Sequence, residues 1–164
     1  MRYAVLLLVL AGTLCDAAEI DRKTFAVSLP EGWTEDTQSV LHDPDSYVDF
    51  ENAACTRPES VAGTFFSVMV QKKREGWSLS DDFLQKPKEA LEKWLPDAKS
   101  TDLTKWAKYG GKGVEREGNS LVLGRYRLLV FGFEHAGRIY LIMEANTPSC
   151  AGDFAQIRQT FKVK

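Results

Sequence analysis

Phe25-Ala26-Val27-Ser28-Leu29-Pro30-Glu31-Gly32-Trp33 is the stretch of this 164-residue chain that settles its architecture. From Thr24 to Leu29 the residues alternate, with Phe25, Val27 and Leu29 on one side, which is the period of a half-buried strand. Pro30-Glu31-Gly32 then forces a turn, because proline offers no amide to a ladder and glycine tolerates left-handed backbone. Trp33 follows at once, placed to cap one end of a core. The chain therefore opens on a strand that turns sharply onto a large aromatic.

Further strands follow by the same logic. Leu41 to Phe50 holds a turn at His42-Asp43-Pro44-Asp45, then a short strand near Tyr47 to Phe50. Gly63 to Lys72 alternates most clearly, setting Phe65, Ser67, Met69 and Gln71 against Phe66, Val68 and Val70. Ser78 or Ser80 caps a helix with Asp81 and Asp82 in its first turn. That helix runs to about Leu95 before Pro96, with a kink or a second start at Pro87. Short strands are expected at Leu103 to Tyr109 and Gly113 to Glu117, long ones at Ser120 to Phe133 and Arg138 to Ala145. The long pair is joined by Glu134-His135-Ala136-Gly137. A last helix begins near Ser149 and aligns Phe154, Ile157 and Phe161. Antiparallel runs with helices inserted and appended read as α+β.

Residues 1–18 read as an export signal: Arg2, an apolar core from Tyr3 to Leu14, and the small pair Ala17-Ala18. The apolar core is about 12 residues long, too short for a bilayer span. No later run approaches that length, so residues 19–164 are expected as one exported domain, periplasmic or secreted. Lipidation at Cys15 is disfavoured by Leu14, where that processing wants a small residue. Cys55 and Cys150 remain, and two cysteines in an oxidising compartment predict a disulfide closing a loop of roughly 95 residues, the alternative being two unpaired buried thiols. The 21 basic and 23 acidic residues leave a net charge of −2. That balance argues against nucleic acid or an anionic lipid surface, which reward a concentrated positive face.

The phrase from Phe25 to Trp33 resembles the opening strand and turn, F-x-V-x-L-P-x-G-W, of PsbP-like and DcrB-like (Mog-type) domains. The later order is similar too: a mid-chain helix, long strands, Ala145-Asn146-Thr147-Pro148, a helix with Phe154, then Gln159-Thr160-Phe161-Lys162. The resemblance implies a central antiparallel sheet of about six strands flanked by helices. It also implies a mostly non-catalytic role, since the family is scattered over accessory subunits, phage-adsorption factors, secretion chaperones and proteins of unknown role. Separately, small exported domains of this size include immunity proteins, among them the type VI secretion kind. Fold does not dictate function.

Chemistry has few carriers here. His42 and His135 both fall in expected turns, and neither G-x-S-x-G nor H-E-x-x-H occurs. His42, Asp43 and Asp45, with Asp49 and Glu51 nearby, form the best metal candidate, whose oxygens suit Ca²⁺ although the spacing is not that of a calcium loop. Gly110-Gly111-Lys112-Gly113 lacks the Ser or Thr and the helix of a phosphate loop, so a hairpin is expected. Trp77, after Lys72-Lys73-Arg74 and Gly76, either staples the next helix or anchors a partner, and Trp106 between Lys105 and Lys108 poses the same question. The resulting expectation is a non-enzymatic protein-binding domain with no required cofactor. Its contact residues would be Arg74, Trp77 and Trp106, and its partner a secreted effector or an envelope protein. Two rivals stand beside it: a small-molecule or Ca²⁺ module, and a carboxylate-dependent hydrolase.

Overall fold

The computed structural model describes residues 18–36, 51–57, 64–73, 75–76, 79, 89, 92–93, 95–97, 99–103, 105–120 and 124–164. Among the described residues ten strands appear in this order: β1 (Glu19–Asp21), β2 (Phe25–Ser28), β3 (Thr34–Glu35), β4 (Glu51–Thr56), β5 (Phe65–Lys72), β6 (Lys99–Asp102), β7 (Lys112–Ser120), β8 (Gly124–His135), β9 (Arg138–Asn146) and β10 (Lys162–Val163). A helix, α1 (Ala151–Thr160), follows a 3-10 turn at Pro148–Cys150. Seven strands form one antiparallel sheet in the order β3-β4-β5-β9-β8-β7-β6, and β1-β2-β10 form a second, smaller one. The fold is α+β, as the alternation required.

The opening phrase does what its chemistry asks. Phe25, Val27 and Leu29 are buried, and the Trp33 amide closes the turn on the Pro30 carbonyl at 3.2 Å. Gly32 supplies the left-handed residue that this turn needs, at φ +79°. Trp33 sits edge-on to Phe154 of α1, with ring centroids 5.2 Å apart, so it does cap the core. The main core lies between the seven-stranded sheet and a lid made of the small sheet and α1. It gathers Phe25, Phe66, Phe131, Phe133, Tyr140, Phe154 and Phe161. The opposite face carries a second cluster of Tyr126, Leu128, Val130, Leu141 and Ala145 with Leu95. Arg116 of β7 ties the Leu95 segment down by donating to the Leu95 and Pro96 carbonyls at 2.9 and 3.2 Å. Of the expected 80s helix, Glu89, Glu92 and Lys93 are helical and exposed.

Two expectations change. The strand foreseen at Leu103 to Tyr109 is instead β6 at Lys99–Asp102, then a turn and a 3-10 helix at Ala107–Tyr109. Strand β4 was not foreseen, and the strand expected at Tyr47 to Phe50 lies outside the described residues. Gly113 lies in a strand as expected, paired with Phe131 inside β7. Ala136 and Gly137 close the β8–β9 hairpin with φ +47° and +72°, so both central residues are left-handed. That is the turn type that Asn-Gly fits and alanine resists. Ala136→Asn should therefore raise stability by about 0.5–1 kcal/mol, read as a higher denaturation midpoint at unchanged slope.

Candidate functional site

Along β8 the side chains on the α1 face run Arg125, Arg127, Leu129, Phe131, Phe133. The aromatic half is covered, and the charged half carries the same face beyond the apolar rows. Antiparallel register extends it to the neighbours, since directly paired residues share a face. Arg127 pairs with Glu117 and Asn146, and Leu129 pairs with Glu115 and Glu144. One end of the core face is thus built of charges.

These charges form a continuous string. Arg125 is paired with Glu117, and Glu117 accepts from Arg127 Nη2 at 2.8 Å. Arg127 Nε reaches Glu115 at 2.7 Å, and Glu115 also holds Lys105. Beneath the string, Glu144 accepts from the Trp106 indole Nε1 at 2.9 Å and from Arg158 Nη1 of α1 at 2.6 Å. Lys105 and Trp106 are consecutive in the turn after β6, so that one turn serves both layers. Side-chain exposure is graded from 1% at Glu144 and 11% at Glu115 to 31% at Glu117 and 68% at Arg125. The buried end fixes the geometry, and the exposed end presents it.

The protonation states are held in place. Hydrogen bonds from Arg127 and then Arg125 keep the Glu117 carboxyl below its ordinary range, and Glu117 in turn raises the Arg127 guanidinium. Burial pushes the Glu144 carboxyl up, against Arg158 and the Trp106 hydrogen bond. Glu144 is sealed under its partners, so its proton has no route to a ligand. Fixed charge of alternating sign on a rigid sheet suits electrostatic recognition better than proton transfer.

A second shared carboxylate stands at the other end of the lid. Asp153, in the first turn of α1, accepts from Trp33 Nε1 at 2.9 Å and from Arg57 Nη1 at 2.8 Å. This clamp fastens α1 to the segments following β2 and β4. The acidic residue also complements the helix N-terminus.

The residues singled out from sequence fare unevenly. Trp106 is not a surface anchor: it is fully buried, packed near-parallel to Phe66 and Phe131 and edge-on to Phe161. Its flanking lysines gave the opposite impression because Lys105 turns to Glu115 and Lys108 to the Arg158 carbonyl. The Cys55–Cys150 bridge is not formed: both cysteines are free and buried in the same core cluster. Each packs as a small apolar side chain, and the Asp153 clamp already holds β4 and α1 together. Burial, then Glu35, pushes the Cys55 thiol up to about 12, which keeps it neutral and unreactive. His42, Asp43, Asp45, Arg74 and Trp77 lie outside the described residues. Among the described residues no three His, Cys, Asp or Glu side chains converge to hold a metal. His135 is exposed at the tip of the β8–β9 hairpin. Sequence reading missed Glu115, Glu117, Arg125, Arg127, Glu144 and Arg158. The available signal was charge at inward positions of an otherwise apolar alternation.

No family model and no curated protein matches this chain in sequence. In three dimensions it is similar to the solution structure of cyanobacterial PsbP (CyanoP) from Synechocystis sp. PCC 6803. That likeness has a TM-score of 0.54 at 12% identity and covers 93% of this chain and 96% of that one. The chain therefore has a PsbP-like fold along nearly its whole length. Among the described residues no helix is long and apolar enough to cross a membrane.

Proposed function

We propose that this chain is an exported, non-enzymatic domain that binds a protein through the charged end of its large sheet. Its role would be inhibition or immunity against a secreted effector, or accessory service to an envelope complex. The observation that carries the reading is the string from Arg125 to Lys105, exposed at Arg125 and most buried at Glu115, with its two carboxylates and two arginines held on β7 and β8. Three cations and two carboxylates alternate along it, so it fits a partner surface with acidic groups at matching intervals. Such complementarity sets on-rate and specificity more than raw affinity. The PsbP-like fold is consistent with an accessory rather than a catalytic part.

Affinity capture tests it. Mature protein is immobilised and exposed to envelope extract and culture supernatant of its own source, and the retained material is identified by mass spectrometry. One stoichiometric protein, released by raised salt, is the expected result. Repeated capture of no protein contradicts the reading.

A further inference from the structure

The small sheet uses the backbone from Ala18 onward. The Leu29 amide donates to the Ala18 carbonyl at 2.7 Å, and Leu29 is fully buried. Glu19 pairs with Ser28, Ile20 is buried in the main core, and Asp21 forms an ion pair with Lys164. The fold is thus engaged from Ala18 onward. Cutting after Ala18 would remove the carbonyl that satisfies Leu29, whereas cutting one bond earlier keeps it.

Sequence chemistry selects the same bond independently. Leader cleavage asks for small residues one and three positions before the cut. For a cut before Ala18 those residues are Ala17 and Cys15, both small. For a cut before Glu19 they are Ala18 and Asp16, and a charged Asp16 does not fit. We infer that processing hydrolyses the Ala17–Ala18 peptide bond, one residue earlier than the boundary expected above. Water adds across that amide, Ala17 departs with the leader as a carboxylate, and Ala18 becomes the ammonium terminus. The cut also removes Cys15 and leaves Cys55 and Cys150 as the mature cysteines. This inference rests on the export reading.

The test expresses the full chain with its own leader in a host that has a leader peptidase, collects the exported protein and sequences its N-terminus. The expected first residue is Ala18. A first residue of Glu19, or a lipidated Cys15, overturns this inference and leaves export standing. An uncleaved chain that stays in the cytoplasm overturns both. Cys15→Asp adds a control that cannot disturb the mature fold, because Cys15 is gone from it. Loss of the Ala18 terminus in that variant supports the assignment, and unchanged cleavage there overturns it.

Discussion

Replacing Glu144 with leucine should cost about 3 kcal/mol of folding stability, roughly 10 °C in Tm for a domain of this size. The loss arises from what remains. The Trp106 indole N–H loses its acceptor inside an aromatic core, and the Arg158 guanidinium loses its carboxylate. A buried donor left without an acceptor costs about 1–3 kcal/mol alone. Arg158 keeps a partial route to water, which holds the total near the lower end of the range for broken buried pairs. Glu144→Gln retains an oxygen for Trp106 and should lose much less.

The two variants also fix the sign of a pH effect. In the folded chain burial holds the Glu144 carboxyl above its ordinary range, with Arg158 and Trp106 only partly opposing it. Protonated Glu144 is therefore favoured by the fold. Its contribution to stability is full below the unfolded carboxylate range and is lost as pH rises through the folded value. Measured against Glu144→Gln, the parent's Tm should fall as pH rises from about 4 toward neutrality. A difference that stays flat across that window contradicts the assignment.

Gly113→Ala should be worse than any surface change, with a loss of at least about 3 kcal/mol and poor soluble yield. A Cβ at that position would lie 2.5 Å from the Val130 carbonyl oxygen, 2.7 Å from Leu103 Cδ2 and 2.9 Å from Phe131 Cδ2. The leucine can swing away. The carbonyl cannot move without parting β7 from β8, and Gly113 is paired with Phe131 in that ladder. Gly111 is packed against the same strand, at Gly132 and Phe133. Gly110 supplies the control: it has φ +67° and open space around it, so Gly110→Ala should cost only about 1 kcal/mol. Chemical denaturation of the two variants side by side separates a packing requirement from a turn requirement.

How far the chain could be read depended on whether period alone decided an element. β5 could be read because Phe66, Val68 and Val70 are buried in strict alternation with Phe65, Ser67 and Met69. β2, its turn and Trp33 were legible for the same reason. β4 was not, because Glu51-Asn52-Ala53-Ala54-Cys55-Thr56 has little intrinsic strand preference and owes its extension to pairing with β5. The stretch from Leu103 to Tyr109 misled because Leu103, Trp106 and Tyr109 stand three apart. That spacing brings all three rings and chains to the core through a turn and a 3-10 helix.

The candidate site was harder to see than the fold. Glu144 looks like an interruption in the apolar run from Ile139 to Ala145, and only α1 folding back over β9 brings Arg158 to it. Arg125 and Arg127 alternate with Tyr126 and Leu128, which reads as an ordinary solvated face. They acquire meaning when register sets them against Glu117 and Glu115 on β7. Trp106 carried the opposite lesson, since basic neighbours in sequence made a core residue resemble a surface anchor.

The most direct test of the account is the affinity of a captured partner for the parent and for Arg125→Glu, measured at low and high salt. Arg125 is the exposed end of the string and touches no core residue among its ion pairs, so melting should stay close to the parent's. The account predicts a roughly tenfold or greater loss of affinity, mostly in association rate, and a weaker salt dependence than the parent shows. Equal affinity and equal salt dependence in both proteins would contradict the assignment of this face as the binding surface.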